Sequence, residues 1–596
     1  MSSTTFTDNT TTIVADWLND VNACVYSPKT VAEMLLLNSL DDGARVHLLG
    51  YYAAGDGGGQ PLYYDASSTA THNGGTVFQP TGVTIGRLLS VDTSVINVKQ
   101  FGVVGDFDSG SGTDDTVAIQ AAVNFQTTAK ITGARLFWPA GGYLITATIT
   151  IPATSGGIVW DGSGAYSSNP YTTSRLGPQT ILYWGGAAGG TMIQSTSTLG
   201  HAISNMTLVG RQSAAANRAG ILIHSKWQAG FANAHVHLTN VTCYDAAVAI
   251  QFADLSTDGN SSDSLFDMLT IFSCDTGLLV KNTQGLNFIF NLYGVDDCRR
   301  AVHFEEGGSL TINGVNLSNS GGTGSDEWCF KFDNFGDSSG NAQINNCRIE
   351  QNTQQILQAA NLGSVQINGM YEAQADQNVT MFDLNGVSLT MRDSRLITND
   401  TTNPCFMLEY GGGSQMPALV IEDSHLDVAA WVQNDWFGFD VNDRTSLFVN
   451  RCVYTDTRRT SVPFINSIPE NGRVTHFVQT TDANITNVTL NGESGNAYNY
   501  MQIPTDTAWI ADVYIVGKQL DGSVVGTFHR RASLKNIAGT TTQIGTTQTI
   551  GTDENAGGWS VALNVNDALD ILRAQVTGLT STTIDWKVAF DMKEVF

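Results

Sequence analysis

INGVNLSN at 312–319, INNCRIEQ at 344–351 and INGMYEAQ at 367–374 are almost one octet written three times, with unlike stretches between the copies. The pattern recurs as ISNMTLVG (203), LTNVTCYD (238), FDMLTIFS (266), IFNLYGVD (289), MRDSRLIT (391) and IEDSHLDV (421), nine copies in all. Its first letter is apolar, its third is usually Asn, Gly or Asp, and its fourth and sixth are mostly apolar. Asn, Gly and Asp tolerate the left-handed backbone of a tight corner, and apolar letters at alternating spacing are the inward positions of strands. Each octet therefore predicts strand, corner, strand.

A short strand precedes several octets, as in SLT before Ile312, SVQ before Ile367 and ALV before Ile421. A third alternating run lies between octets: AVAIQF (247–252), GLLVKN (277–282), AVHFEE (301–306), CFKFDN (329–334) and CFMLEY (405–410). Three short strands per period of roughly 23 to 32 residues predict a parallel β-helix, whose coils bury their inward side chains by stacking on one another. The Leu and Asn spacing of a leucine-rich repeat and the long antiparallel strands of a propeller blade are both missing from this pattern.

The helix is placed at 96–460, with less regular early coils at ARLFWPAGGYLI, GGIVWDG and TILYWG. GTDDTVAIQAAVNFQ (112–126) reads as an N-capped amphipathic helix that closes the first coil. The octets stop before 461–474, a linker, and 475–596 alternates as a separate C-terminal β domain.

The totals narrow the function. Gly 61 and 14% charged residues suit turn-dense β structure. Lys+Arg 29 against Asp+Glu 55 gives a net charge of −26, which argues against nucleic acid or an anionic membrane surface as partner. MSSTTFTDNTTTIVADW has no basic segment followed by an apolar one, and no apolar run reaches 18 residues, so neither a secretory signal nor a membrane span is expected. The eight cysteines form no C-x-x-C pair, and Cys243 and Cys347 fall on apolar octet positions, so buried thiols are expected.

KTVAEMLLL (29–37), GYYAAGDGGGQPLYYD (50–65) and VINVKQFGVVGDFDSGSGTDDTVAIQAA (95–122), in that order before a β-helix, resemble the head of bacteriophage tailspike depolymerases. The resemblance implies a homotrimeric spike on the virion tail with a right-handed, pectate-lyase-like parallel β-helix. It implies a capsular polysaccharide, or another surface glycan, as the substrate. Residues 1–28 would be the particle-attachment peptide, docking to a tail adaptor or a second tail fibre, and 29–95 the head. The segment 475–596 resembles trimerising or lectin-like sandwich domains. The family implies no catalytic residues here, because coil surfaces vary too much among its members.

Outward residues at one strand position recur every 4.7–4.9 Å from coil to coil, so columns can be read from aligned letters. Glu305 and Asp333 fall in one column after Lys281, beside a column of His303, Lys331 and Asp383. Paired carboxylates suit glycosidic hydrolysis, which makes Glu305 and Asp333 the first catalytic candidates. A solvated, lysine-balanced ladder is the other reading. The fifth octet letters give a second column: Thr207, Thr242, Thr270, Tyr293, Asn316, Arg348, Tyr371, Arg395 and His425. Its Tyr293, Arg348, Tyr371 and Arg395 suit sugar rings and carboxylates, with Glu350 a further acid.

The loops VDDCRR (295–300) and GGTGSDEWCF (321–330) add Asp296, Asp297, Arg299, Arg300, Asp326, Glu327 and Trp328, with Asp297 a candidate acid and Arg300 and Trp328 candidate binders. Trp227, Trp431 and Trp436 are further possible sugar platforms. ADLSTDGNSSDS (253–264) fails the EF-hand register, so neither a metal nor another cofactor is expected. Competing with hydrolysis are β-elimination on a uronic acid, using His303 with Lys331 or Tyr371 with Arg348, and binding without cleavage. A site shared between subunits would pair different acids.

Overall fold

The third octet letters Asn205, Asn240, Asn346, Asp393 and Asp423 all turn with φ between 49° and 56°, and Gly314 and Gly369 with φ of 83° and 72°. In this computed structural model each of them is a corner at which one strand bends into the next. The structure describes residues 25–595 except 109, 129–133, 154, 166–177, 214–215, 230–231, 335–339, 351–354, 373–379, 399–404, 410–417, 429–436, 440–445, 451–452, 457–472, 489–500, 504, 521–523 and 555–557. Residues 1–24 of the expected 1–28 attachment peptide, 461–472 of the expected 461–474 linker, Trp431 and Trp436 lie outside these residues. The chain divides at Asn316/Leu317 into two units, each described by itself.

The first unit begins with a five-stranded sheet of Val25–Tyr26, Arg45–Leu48, Gln60–Asp65, Val77–Phe78 and Arg87–Ser90. Its GYYAAGD loop is tied by one carboxylate: Asp56 accepts the amide protons of Tyr51, Tyr52, Ala53 and Gly58 at 2.7–3.0 Å. These four amide bonds hold the Asp56 carboxyl below its usual range against the opposing effect of partial burial, which is the largest single influence on it. The helix runs Thr116–Thr128, starting four residues and ending two residues later than the sequence suggests, and buries Ile119, Ala122 and Val123. Gln126 ties it to the first coils, donating to the carbonyl of Ala134 at 2.7 Å and accepting from Trp160 Nε1 at 3.0 Å.

Parallel coils follow in strict register. The first octet letters stack as Ile203, Leu238, Phe266 and Phe290, all buried, and the third runs stack as Val248–Phe252, Thr276–Val280 and Arg300–Phe304. Phe290 corrects the sequence alignment, which starts that octet at Ile289. The left-handed corner is Leu292, with φ of 56°, and Gly294 is the residue that pairs with Thr270. Side chains alternate faces along a strand, so the slip of one residue turns Tyr293 from the surface to the core.

In the second unit Ile344, Ile367, Met391 and Ile421 continue the pattern, each buried and in register with the next. Its third runs are Phe330–Phe332, the start of Leu357–Glu372, the start of Phe382–Arg392, and Phe406–Glu409. The coils extend to Val453–Asp456. The C-terminal segment forms two antiparallel sheets. One holds Arg473–Thr480, Ile584–Glu594, Thr507–Gln519, Val525–Ile537 and Thr540–Thr549; the other holds Ile485–Val488, Ile571–Thr577, Met501–Gln502 and Ser560–Asn566. Val513, Ile515, Trp559, Trp586 and Phe590 form their core. Gly517 stands opposite Gly526, and a Cβ on Gly517 would come within 2.8 Å of the Trp586 ring. The six described cysteines are buried, Cys243 and Cys347 among them.

Candidate functional site

Three consecutive octets of the second unit build a cavity of about 400 Å³ from a grid of nine residues. Its corner row is Gly369, Asp393 and Asp423, its inward row Met370, Ser394 and Ser424, and its outward row Tyr371, Arg395 and His425. The grid is rigid because the floor is self-bonded. Ser394 Oγ accepts from the Met370 amide at 3.1 Å and donates to the Arg392 carbonyl at 2.8 Å, while Ser424 Oγ accepts from the Ser394 amide at 3.2 Å. Gly369 brings no side chain to the corner row, which widens the cavity beside the two exposed carboxylates.

The outward row continues the second column. Arg348, Tyr371, Arg395 and His425 pair in register, coil by coil. Tyr371 is 45% exposed, and the Arg395 guanidinium carbon lies 5.8 Å from its ring centroid. Arg348 is ion-paired to Glu350 on its own strand. Burial relaxes along the column: Thr207 and Thr242 are buried in the first unit, whereas Arg348 and Tyr371 are exposed in the second. The cavity thus has an acidic edge and an edge of aromatic and basic groups. The sequence reading named Tyr371 and Arg395 as candidate binders, placed His425 in the same column without a role, and read Asp393 and Asp423 only as corner formers.

The first column is differently placed. Glu305 is held by Lys281 at 3.4 Å in the first unit. In the second, Lys331 Nζ lies 2.6 Å from Asp326 and 3.2 Å from Asp333. Lys331 and His303 are buried rather than on an open surface, each only 7% exposed. Lys331, Gln358 and Asp383 are in register, as the column alignment requires for Lys331 and Asp383. Burial pushes the Asp383 carboxyl up, opposed by Gln358 Nε2, which donates to Oδ2 at 3.0 Å; Oδ1 has no hydrogen-bond partner among the described residues.

Two candidate sugar platforms are corrected. Tyr293 is 2% exposed, donates its hydroxyl to the Ala301 carbonyl at 2.8 Å and packs on Phe290. Trp328 is 3% exposed and donates Nε1 to the Ser325 carbonyl at 3.1 Å. Neither face is open to a sugar. Asp297 is exposed and accepts from Ser273 Oγ at 3.0 Å, and Arg300 reaches Thr276 Oγ1 at 3.3 Å. The 253–264 segment is a polar turn: Asp258 accepts the amides of Asp254 and Leu255, and Asp254 lies 3.1 Å from His224 and 3.0 Å from Lys226.

Comparison with known proteins adds two family matches. Residues 27–92 match the phage tail protein small four-stranded β-sheet domain, and residues 95–326 match the rhamnogalacturonase A/epimerase, pectate lyase-like family. No curated protein sequence matches. Among solved structures, the tailspike gp49 of Acinetobacter baumannii bacteriophage Fri1, a capsular polysaccharide depolymerase, aligns at 14% identity and a TM-score of 0.49, covering 96% of this chain and 100% of its own. The enzymatically active domain of bacteriophage CBA120 tailspike protein 2 aligns at 13% identity and 0.43, covering 96% and 91%. Pantoea stewartii WceF, a glycan biofilm modifying enzyme, aligns at 12% and 0.35, covering 96% and 71%.

Proposed function

We propose that the chain is a phage tail protein that binds a bacterial surface polysaccharide, capsular by preference, and cuts it in the Gly369–His425 cavity by hydrolysis. The observation that carries this reading is the pair of exposed carboxylates, Asp393 and Asp423, on adjacent coils, facing Tyr371, Arg395 and His425 across a rigid floor. Adjacent coils set backbone positions about 4.7–4.9 Å apart, a spacing at which two carboxyl groups can flank one glycosidic bond. One carboxyl protonates the leaving oxygen, and the other directs water or attacks the anomeric carbon. Tyr371 offers a face for the sugar ring, and Arg395 a fork for an acidic substituent. The phage-tail and pectate-lyase-like matches support the setting. In this reading the chain works as a homotrimer on the virion tail, docked through its N-terminus to a tail adaptor or second fibre. Three copies would raise avidity on a repeating polymer.

Glu305 with Asp333, Glu350 and Asp297 are the competing acids of the hydrolytic reading. The second reading is β-elimination, favoured by the guanidinium of Arg395 beside Tyr371. There the Tyr371 oxygen, as phenolate, removes the proton on the carbon that bears a uronic carboxylate neutralised by arginine, the C4–O glycosidic bond breaks to leave a 4,5-double bond, and the departing oxygen takes the proton back from the phenol.

The test is incubation with purified capsular polysaccharides, following polymer length, reducing ends and near-ultraviolet absorbance together. Shortening with reducing ends and no chromophore supports hydrolysis, and a growing unsaturated-sugar chromophore supports elimination. Binding without shortening on every polymer would leave an adhesin.

A further inference from the structure

At one corner of the first unit, polar side chains are buried in the coil interior. Along the third runs, Ser195, Ser225, Phe252 and Val280 stand in register on successive coils. The strands that follow carry a second column of Thr198, Asn233, Ser261 and Gly285: Leu199 pairs with Ala234, Asn233 with Ser261, and Ser264 with Phe288. In one coil the two columns are joined directly, because Asn233 Nδ2 donates to Ser225 Oγ at 2.7 Å.

One coil earlier the corresponding residues are Ser195 and Thr198. Threonine is shorter than asparagine, and there neither hydroxyl has a hydrogen-bond partner among the described residues. The same holds for Asn233 Oδ1, Ser261 Oγ and Asn282 Oδ1. Asn282 belongs to this corner, since a Cβ on Gly285 would lie 3.1 Å from its Oδ1. All five side chains are at most 1% exposed. Burying an unpaired polar group is costly, and native interiors pair nearly all such groups with protein or with ordered water. Five of them gathered along one corner call for a common partner.

We propose that this corner binds a string of water molecules, running from Ser195 and Thr198 past Asn233 and Ser261 to Asn282. A buried water makes about three hydrogen bonds to groups of this kind. The set offers both roles that water needs: three hydroxyls that donate or accept, and two amide oxygens that accept. A monovalent cation fits less well, because the five groups are uncharged and would leave its charge unbalanced in buried surroundings. The string joins third run to following strand in coils that lack the direct bond made by Asn233 and Ser225, so solvent is a component of the coil rather than a filler.

The experiment compares the full chain with Thr198→Val, which keeps the shape of the side chain and removes its hydroxyl. It uses thermal unfolding together with magnetic relaxation dispersion of the water oxygen, whose amplitude counts waters held longer than the protein tumbles. Thr198→Val is expected to lower the unfolding midpoint by about 2–4 °C and to reduce the dispersion amplitude. Ser261→Ala should reduce the amplitude independently, from a different coil. A dry corner predicts the opposite sign: valine then removes a buried unpaired hydroxyl, and the midpoint rises with the amplitude unchanged. That result would overturn the string, as would a lower midpoint with unchanged amplitude. So would a midpoint that differs between potassium chloride and tetramethylammonium chloride in the parent chain but not in Thr198→Val, which would assign the corner to a cation.

Discussion

Arg395 lies over the ring of Tyr371, one coil away and 5.8 Å from its centroid, so a group bound against the tyrosine meets the guanidinium at once. Arg395→Gln should lower cleavage of a carboxylated polymer by roughly ten- to a hundredfold, because a charge-assisted fork is lost. Arg395→Lys should recover little, since an ammonium group cannot reproduce the planar fork. Tyr371→Phe separates the two chemistries. Hydrolysis should persist within a few-fold, while elimination through the phenol should vanish; progress curves for reducing ends and absorbance decide it.

Asp393→Asn and Asp423→Asn should each cut the rate by roughly a hundredfold or more, as loss of an acid or base does. Glu305→Gln and Asp333→Asn should change it little, because both carboxylates are committed to lysines. Rates for the four variants on one polymer test this directly, and the opposite ranking would move the chemistry to the other column.

Stability of the first unit should respond to acid through two opposed groups. His201 is buried with neither ring nitrogen hydrogen-bonded among the described residues, and burial lowers its pKa from 6.5 to about 4. Its contribution is intact above pH 6.5, and as pH falls towards 4 the unfolded chain takes up the proton first, costing about 3 kcal/mol. Asp115 is buried, and burial raises its pKa from 3.8 to about 6 despite accepting the Val104 and Gly105 amides at 2.7 and 3.0 Å. Here the unfolded chain releases its proton first as pH rises through that window, also costing about 3 kcal/mol by neutral pH. His201→Gln should therefore flatten the rise of stability with pH, and Asp115→Asn should steepen it. Denaturant unfolding across that range would refute the pairing if both variants ran parallel to the parent.

Leu292 is a corner with φ of 56° and a side chain 66% exposed, so it bears left-handed strain without burying much apolar surface in return. Leu292→Asn should stabilise the coils by about 1 kcal/mol, read as a rise in unfolding midpoint. Met268, with φ of 52° and 48% exposure, should behave in the same direction.

Those two corners also explain where the sequence misleads. Asn, Gly and Asp mark a left-handed residue by their chemistry, so the coils at Asn346, Gly369 and Asp393 align without error, and Tyr371, Arg395 and His425 fall in one column. Leu carries no such mark, and choosing Asn291 instead of Leu292 as the corner turned Tyr293 outward. Alternation also says which side chains leave the coil interior, but not what covers them afterwards. His303 and Lys331 point away from the interior in the pattern and are nevertheless buried, Lys331 beneath Asp326 of the preceding loop. The acidic edge of the cavity was hidden for another reason: at Asp393 and Asp423 one residue type serves both backbone and chemistry, and the backbone role is sufficient to explain it.

Equivalent positions on successive coils are 23 residues apart from Asn345 to Asn368, 24 from Met370 to Ser394 and 30 from Ser394 to Ser424, yet the strands stay in register. Corners and inward letters hold the coil, so the intervening segments can lengthen, shorten or be exchanged without shifting it. Such a molecule can change what its surface presents by trading loops while inheriting its scaffold intact, without having to solve the folding problem again.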